Sequence, residues 1–259
     1  MKIWHMNGAG NDFMVMDARG NTFDFADLAV KFCAKTGADG FMAVDNAENG
    51  DFKLHFYNSD GSRGEMCGNG ARCIGRFAFE HGIAGEQMTI ETDAGPVYGW
   101  RLAENRYRVQ LPNPQNLDLQ KKENVAYAEV GCPHAVMEYR GDLRADALSL
   151  RESMRALRFD PVFPKGANVD LYTWLSDTAV QILTFERGVE DFTLACGTGS
   201  GAVAAVLWTQ GKVPGGFLTV ENPGGTLAVT VSGENGQVNQ LLLEGPADVS
   251  RIYDWEELI

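Results

Sequence analysis

The chain has 259 residues, 44% of them hydrophobic and 22% charged. These proportions are normal for a globular protein, and the length suffices for two domains of ordinary size. The formal net charge is −13 and no stretch is rich in Lys or Arg, so nucleic acid is not an expected partner, because phosphate neutralisation needs clustered cations. No segment approaches the roughly 20 apolar residues that span a bilayer, and the first residues lack the regions of a signal peptide. We therefore expect a cytoplasmic protein with no membrane partner.

Short apolar runs, some alternating and some continuous, predict a mixed α/β fold dominated by strands. Two of the predicted helices follow Cys-Gly-x-Gly turns, are rich in small residues, and end at Gly82 and Gly211, as helices commonly end at glycine. In chain order, the predicted elements are strands 2–5 and 12–17, helix 24–36, strands 41–45 and 53–57, helix 70–81, strands 88–92, 97–102, 106–111, 126–130 and 135–139, helix 147–157, strands 168–175 and 179–186, helix 200–210, and strands 216–221, 227–232 and 237–244.

Two prolines, Pro112 and Pro114, interrupt the strand pattern and predict a linker over residues 112–116. The predicted domains are residues 1–115 and residues 116–251. The last segment, 252–259, is a candidate addition to the first domain.

The sequence contains an internal repeat. Two Cys-Gly-x-Gly segments, at 67–70 and 196–199, stand 129 residues apart. At an offset of 121, residues 10–17 lie over residues 131–138. The repeat predicts two like domains, each with one cysteine before a glycine-rich turn. Two such domains facing each other would place two thiols on opposite sides of one cleft.

The chain has five cysteines, an odd number, which argues against a disulfide framework in a cytoplasmic protein. Their spacing does not match a zinc site either, because there is no CxxC pair. Cys33 and Cys73 lie on helical patterns, and we expect them to be small core residues.

A helix that opens directly after a Cys-Gly-x-Gly turn has a defined chemistry. Glycine lets the backbone approach a ligand closely, and the first N–H groups of the helix bind an anion such as a carboxylate. The same positive field lowers the pKa of a cysteine from about 8.5 toward neutrality. Two such helices could hold one carboxylate and place one sulfur on each face of its α-carbon. A single motif of this kind is more often a buried cysteine at a tight turn, but its repetition favours Cys67 and Cys196 as a catalytic pair.

Several short motifs, spread over the whole chain, are jointly specific for one family. They are Gly-Ala-Gly-Asn-Asp-Phe at 8–13, Tyr-Asn-Ser-Asp-Gly-Ser at 57–62, Met-Cys-Gly-Asn-Gly-Ala-Arg-Cys at 66–73, Pro-His at 133–134, Glu-Arg-Gly at 186–188 and Ala-Cys-Gly-Thr-Gly at 195–199. Together they resemble the diaminopimelate epimerase family of two-cysteine racemases and epimerases.

The resemblance implies an α/β (α+β) fold of two pseudo-symmetric domains, each a mixed, mostly antiparallel curved sheet around a central helix, with the active site in the interdomain cleft. It implies an isomerase without cofactor or metal, a small-molecule amino-acid substrate and a homodimer. The implied reaction interconverts LL- and meso-2,6-diaminopimelate in lysine and cell-wall synthesis.

Carried over by position, the resemblance makes Cys67 and Cys196 the base and acid pair. The backbone at Gly68, Asn69, Gly197 and Thr198 would hold the reacting carboxylate. An arginine offers a bidentate fork to a second carboxylate, a glutamate accepts from an ammonium, and asparagines orient both groups. The residues assigned in this way to the distal end of the substrate are Asn11, Asn58, Asn168, Glu186 and Arg187.

Two departures from the family pattern bear on the substrate. The family often reads Gly-Asn-Pro-His where this chain has Cys132 before Pro133 and His134, and often has Glu where Phe192 stands. A thiol does not replace an amide that donates and accepts strongly, whereas Phe192 either packs at the cleft edge or changes which side chain fits. His134 is expected to form hydrogen bonds, and we assign it no proton transfer.

The alternative function is therefore a related racemase of another amino acid, such as histidine. Proline racemases have His at the position of Asn69, and phenazine-biosynthesis isomerases share the fold without the thiol pair. A non-catalytic ligand-binding protein would need neither thiol.

Overall fold

The computed structural model describes residues 1–64 and 67–259, so Glu65 and Met66, of which Met66 begins the motif at 66–73, lie outside the described residues. The chain forms two compact units. The first unit combines Met1–Val109 with Glu244–Ile259, and the second unit is Gln110–Leu243. The functional domains predicted above, 1–115 and 116–251, stay a prediction.

Short strands dominate both units and helices are few, which confirms the mixed α/β fold expected from the apolar pattern. Among the described residues no helix has both the length and the apolar character that crossing a membrane requires. The strands are β1 (Lys2–Gly8), β2 (Asn11–Asp17), β3 (Gly40–Asp45), β4 (Phe52–Asn58), β5 (Gln87–Thr92), β6 (Gly95–Ala103), β7 (Arg106–Leu111), β8 (Gln115–Lys122), β9 (Val125–Val130), β10 (Cys132–Glu138), β11 (Asn168–Ser176), β12 (Ala179–Glu186), β13 (Asp191–Phe192), β14 (Phe217–Asn222), β15 (Gly225–Glu234), β16 (Gln237–Pro246) and β17 (Asp248–Asp254). The helices are α1 (Phe25–Thr36), α2 (Gly68–Glu80), α3 (Leu143–Arg158), α4 (Gly197–Thr209) and α5 (Trp255–Leu258).

The strands of the two units pair in the same order. In the first unit the neighbours are β17, β1, β2, β3, β4, β5 and β6, and the successive pairs are antiparallel except for β2–β3 and β4–β5, which are parallel. In the second unit the neighbours are β8, β9, β10, β11, β12, β14 and β15, and the parallel pairs are β10–β11 and β12–β14. The repeat read from the sequence is therefore present in the strand pairing.

One helix of 13 residues lies against the strands of each unit: α2 packs on β1, β2, β3 and β6, and α4 packs on β9, β10, β11, β14 and β15. Small residues make this close packing possible. A Cβ atom added at Gly201 of α4 would lie 2.6 Å from Leu111 Cδ1. Glycine at 201 therefore leaves room for the Leu111 side chain against α4.

Both central helices end in the same motif, which the terminal glycines predicted. Gly82 and Gly211 have positive φ angles of 65° and 73°. The next residue in each unit bonds back across the last turn: the Ile83 N–H donates to Ala78 O at 2.8 Å and the Lys212 N–H donates to Leu207 O at 2.9 Å. This is the Schellman arrangement, which satisfies carbonyls that a helix end leaves without a partner.

Each unit has its own apolar core. In the first, α1 and α5 close over the sheet, and Trp255 meets Phe32 edge to face at 5.5 Å. In the second, α3 covers the sheet, and Tyr127 stacks on Phe163 at 5.5 Å. Cys33 and Cys73 are buried, as predicted.

Several element boundaries differ from the prediction. The central helices begin at Gly68 and Gly197 rather than at 70 and 200, directly after the cysteine that precedes each of them. Helix α3 begins at Leu143 instead of 147, because the Asp142 side chain caps its first N–H groups. The prediction omitted β8, β13, β17 and α5, because these elements are short or consist mostly of polar residues.

Candidate functional site

In the first unit the cysteine motif stands at the start of α2. Cys67 precedes the helix in an extended conformation, with φ −111° and ψ 123°, and it is partly exposed. Two residues further on, the buried Asn69 donates from Nδ2 to Asn11 Oδ1 at 2.6 Å. Asn11 in turn donates to Asp39 Oδ2 at 3.3 Å. The structure therefore brings two of the predicted binding residues, Asn11 and Asn69, together beside α2.

Asn58 ends strand β4 and is exposed. Its Nδ2 donates to Ser62 Oγ at 3.0 Å, and the N–H of the next residue, Ser59, donates to the Asp39 carbonyl. Asn11 and Ser59 thus both bond to Asp39, which the sequence analysis did not single out. Its signal was weak, because Asp39 lies in a loop outside every motif.

Arg72 is a further residue that the sequence analysis missed. It is fully buried in α2 and donates to three neutral acceptors: Gly68 O at 3.2 Å, Asn69 Oδ1 at 3.0 Å and Pro246 O at 3.2 Å. Burial lowers the pKa of Arg72 to about 10. The guanidinium therefore lies over the first turn of α2, next to the residues that follow Cys67.

In the second unit Cys196 occupies the equivalent position before α4, with φ −119° and ψ 109°. Its Sγ accepts from the Gly199 N–H at 3.3 Å and lies 3.4 Å from Thr198 Oγ1. The expectation that the helix N-terminus lowers the thiol pKa is wrong for Cys196. Burial raises its pKa well above the usual value, and the carboxylates of Glu186 and Asp170 raise it further.

The predicted binding residues of the second unit lie around this thiol. Buried Asn168 accepts at Oδ1 from the Arg187 N–H at 2.7 Å. Arg187 is held by a bond from Nη1 to Lys165 O at 3.2 Å. Glu186 ends β12, close enough for its charge to act on Cys196. Asn168, Glu186, Arg187 and Cys196 therefore belong to one region of this unit.

A buried hydrogen-bond chain supports the same region. His134 is fully buried, with Nδ1 at 2.7 Å from Asp170 Oδ2 and Nε2 at 3.1 Å from Thr198 Oγ1. Asp170 Oδ1 accepts from Thr184 Oγ1 at 2.7 Å. Burial lowers the pKa of His134, but the adjacent Asp170 carboxylate outweighs it and the pKa rises to about 10. Asp170 was missed, although it lies two residues after Asn168 and so on the same strand face.

Cys132 completes this chain at its other end. Its Sγ lies 3.3 Å from His134 Nε2, 3.7 Å from Thr198 Oγ1, and accepts from Asn168 Nδ2 at 3.3 Å. Burial raises the pKa of this thiol, but its contact with the His134 ring dominates and the pKa falls below the usual value.

Phe192 packs against the core of the second unit. Its ring meets Phe185 edge to face at a centroid distance of 5.9 Å. The effect of Phe192 on which substrate side chain fits stays a prediction.

The fold resembles that of solved isomerases and related proteins. A phenazine biosynthesis protein of Bacillus anthracis superposes with a TM-score of 0.74 at 16% identity, covering 98% of both chains. A hydroxyproline epimerase of Agrobacterium vitis superposes with a TM-score of 0.68 at 17% identity, covering 98% of this chain and 91% of that one. At these identities the likeness defines the two-domain fold class alone.

Sequence similarity is more specific. The chain is 38% identical to a diaminopimelate epimerase of Aquifex aeolicus over 82% of this chain and 83% of that protein. It is 32% identical to the diaminopimelate epimerase of Flavobacterium psychrophilum over 96% and 97% of the two chains. The sequence pattern of the diaminopimelate epimerase family matches residues 3–111 and 126–249. The chain therefore belongs to the diaminopimelate epimerase family and is an isomerase, which confirms the resemblance read from its motifs.

Proposed function

We propose that this protein inverts the α-carbon of diaminopimelate by a cofactor-independent two-base reaction, with Cys67 and Cys196 as the two proton-transferring groups. One thiolate removes the α-proton from one face, and the other thiol delivers a proton to the opposite face. The observation that carries this proposal is the repeated placement of a cysteine directly before a buried 13-residue helix in both units, in a chain of this family.

The N-termini of α2 and α4 support a substrate that carries a carboxylate. The first N–H groups of an α-helix have no partner within the helix and attract anions. We assign the reacting carboxylate to the backbone of Gly68, Asn69, Gly197 and Thr198. The Gly199 N–H donates to Cys196 Sγ, and this hydrogen bond favours the thiolate form of Cys196.

The distal groups of diaminopimelate, a second ammonium and carboxylate, suit the remaining residues. Arg187 offers its guanidinium to the distal carboxylate, and Glu186 accepts from the distal ammonium. The asparagines supply amide donors and acceptors that orient these two groups, and they are Asn11, Asn58 and Asn168. The names of the relatives support diaminopimelate over histidine or another single-headed amino acid.

Hydrogen exchange at the α-carbon tests the proposal directly. Purified protein is incubated in D₂O with meso-diaminopimelate and, separately, with L-histidine and other L-amino acids, and α-deuteration is followed by NMR. We expect deuteration of diaminopimelate and none of the other amino acids. Exchange confined to a single-headed amino acid would transfer the function to the alternative racemase.

Cysteine variants test the assigned roles. Because general acid–base catalysis contributes about 10²–10⁴-fold, Cys67→Ser and Cys196→Ser should each lower epimerisation by at least about 10²-fold. Cys33→Ser is the matched control, since Cys33 is a buried core thiol in the first unit and its loss should leave turnover near wild type. Full activity of either catalytic-site variant would overturn the two-base assignment.

We further propose that the protein works as a homodimer in the cytoplasm. The family resemblance supports the dimer, and sedimentation equilibrium of the purified chain should give twice the mass of 28.3 kDa. A monomer mass at micromolar concentration would remove this part of the proposal.

A further inference from the structure

We call the residues around Cys67 in the first unit and those around Cys196 in the second unit the two half-sites. They differ at one pair of residues that the internal repeat relates. At the offsets of the internal repeat, Cys132 corresponds to Asn11 and Thr198 corresponds to Asn69. In the first unit the two amides are joined by a 2.6 Å hydrogen bond, whereas in the second unit a thiol and a hydroxyl lie 3.7 Å apart. Amides do not titrate, but a thiol does. The second half-site therefore holds a proton carrier where the first holds a fixed hydrogen bond.

The Thr198 hydroxyl lies between two sulfur atoms. Its Oγ1 is 3.4 Å from Cys196 Sγ and 3.7 Å from Cys132 Sγ, and it also lies 3.1 Å from His134 Nε2. A hydroxyl donates one hydrogen bond and accepts others. It can therefore take a proton from one sulfur while giving its own proton to the other.

The surroundings of the two sulfurs are unequal. Cys132 faces the His134 ring and the Asn168 amide donor, which both favour a thiolate. Burial, Glu186 and Asp170 all oppose a thiolate at Cys196. The titratable groups that act on this pair from the packed elements are Tyr127 on β9, His134 on β10, Asp170 on β11 and Glu186 at the end of β12. Arg187, which follows β12, acts on Tyr127.

We propose that Cys132 is the internal acceptor of the Cys196 proton, reached through the Thr198 hydroxyl. In this step the Cys196 S–H bond breaks and its proton moves to Thr198 Oγ1, while the original Thr198 hydroxyl proton forms an S–H bond with the Cys132 thiolate. One negative charge passes from Cys132 to Cys196, and no oxidant or reductant is involved. Cys132 is thus a positioning residue that acts on Cys196 through Thr198. The inference rests on the proposed function, because it supplies the Cys196 thiolate that a two-base reaction requires.

The pH dependence of kcat/KM tests this relay. In C132N, which copies the amide of the first half-site, Cys196 loses its internal acceptor and must release its proton to solvent. We expect the acidic limb of the profile to move up by about one pH unit or more, which lowers kcat/KM near pH 7 by about 10-fold. The loss must be equal in both directions of the reaction, because the equilibrium constant fixes the ratio of the two kcat/KM values. Activity should recover at high pH, which a merely misfolded variant would not show.

Variants of the bridging hydroxyl separate the relay from packing. T198V removes the hydroxyl at nearly constant volume and should shift the acidic limb as C132N does, whereas T198S should restore it. C132S changes the size of the side chain less than C132N does, and it should shift the acidic limb of the pH profile in the same way. C33S should leave the limb in place.

A second measurement does not depend on turnover. Trypsin releases Cys132 in residues 123–140, which contain no other cysteine, so its alkylation by iodoacetamide can be followed against pH by mass spectrometry. We expect a midpoint below the ordinary thiol value of about 8.5 in the wild type and in T198V, and a higher midpoint in H134Q.

The possible outcomes separate the relay from the function. If the wild type exchanges the α-proton but C132N keeps the acidic limb of the wild type, the relay is wrong and the two-base function stands. If the wild type exchanges no α-proton, the function fails and the relay, which rests on it, fails with it. Alkylation with an ordinary midpoint overturns the relay in either case.

Discussion

Replacing Gly199 by alanine should break the buried chain that runs from Thr184 to His134. A Cβ atom at Gly199 would lie 2.4 Å from Asp170 Oδ1, and ordinary contacts begin near 3.4 Å. The carboxylate would have to retreat by about 1 Å, but both its oxygens are held at 2.7 Å, by His134 and by Thr184. Hydrogen bonds to a buried charged group are worth about 1.5–3 kcal/mol each, and alanine regains about 0.5–1 kcal/mol of helix propensity. We therefore expect G199A to lower the free energy of unfolding by about 2–5 kcal/mol.

The repeat supplies a matched control for this substitution. Gly70 holds the same position in α2, but a Cβ atom there would meet Met42 Sδ at 3.1 Å and Phe13 Cζ at 3.5 Å. The flexible methionine can yield by a few tenths of an ångström. We expect G70A to stay within about 1 kcal/mol of the wild type, since its helix propensity gain offsets a slight crowding.

Urea unfolding of the two variants and the wild type, compared by midpoint at unchanged slope, measures both changes. If G199A and G70A unfold at the same urea concentration, Asp170 is not pinned as described. The assignment of a tightly held His134–Asp170 pair would then be wrong.

Two further predictions concern buried charges. The folded pKa of His134, about 10, lies above the unfolded value of about 6.5. The stabilising contribution of His134 is therefore complete below pH ~6.5 and is lost as pH rises toward 10. The difference in unfolding free energy between wild type and H134Q should shrink between these pH values, and a constant difference would contradict the raised pKa. Replacing Arg72 by methionine removes the side-chain donor of Asn69 Oδ1 and Pro246 O, whereas Gly68 O keeps the backbone N–H of residue 72 within the helix. At about 1–3 kcal/mol for each acceptor that loses its partner, R72M should destabilise the protein by at least about 2 kcal/mol. R19M, which removes a partly exposed pair with Asp17, should cost less than about 1 kcal/mol, and similar midpoints for R72M and R19M in urea would refute the role given to Arg72.

The repeat explains how much of the fold could be predicted from the sequence. The matching offsets and terminal glycines predicted two like units with a central helix in each, because these signals are local and recur. The helix starts were placed late, since glycine has low helix propensity and two glycines stand in the first turn of each helix, at 68 and 70 and at 197 and 199. Strand β8 was missed because Gln115–Lys122 is mostly polar and partly exposed and follows two prolines.

The site was predicted in its motifs but not in its supporting contacts. Cysteine, asparagine and arginine positions stand in recognisable segments, whereas the partner of His134 depends on strand pairing. The parallel register that sets His134 opposite Asn168 places Asp170 within reach of the imidazole, and no local pattern encodes that register. The direction of the pKa shift of Cys196 could not be predicted from the sequence either. Burial and the helix field act in opposite directions, and only the packing of the folded unit decides which effect is larger.

The two half-sites differ in electrostatics, so the duplicated fold does not make their thiols equivalent. Duplication alone would give two equivalent thiols. Yet a buried guanidinium, Arg72, lies over the first turn of α2, whereas the carboxylates of Asp170 and Glu186 act on the thiol before α4. A cation favours a nearby thiolate and carboxylates disfavour it. Arg72 and the charge of Cys67 interact favourably, whereas in the proposed reaction the second unit needs an added route for the Cys196 proton, which Cys132 and the Thr198 hydroxyl are placed to provide.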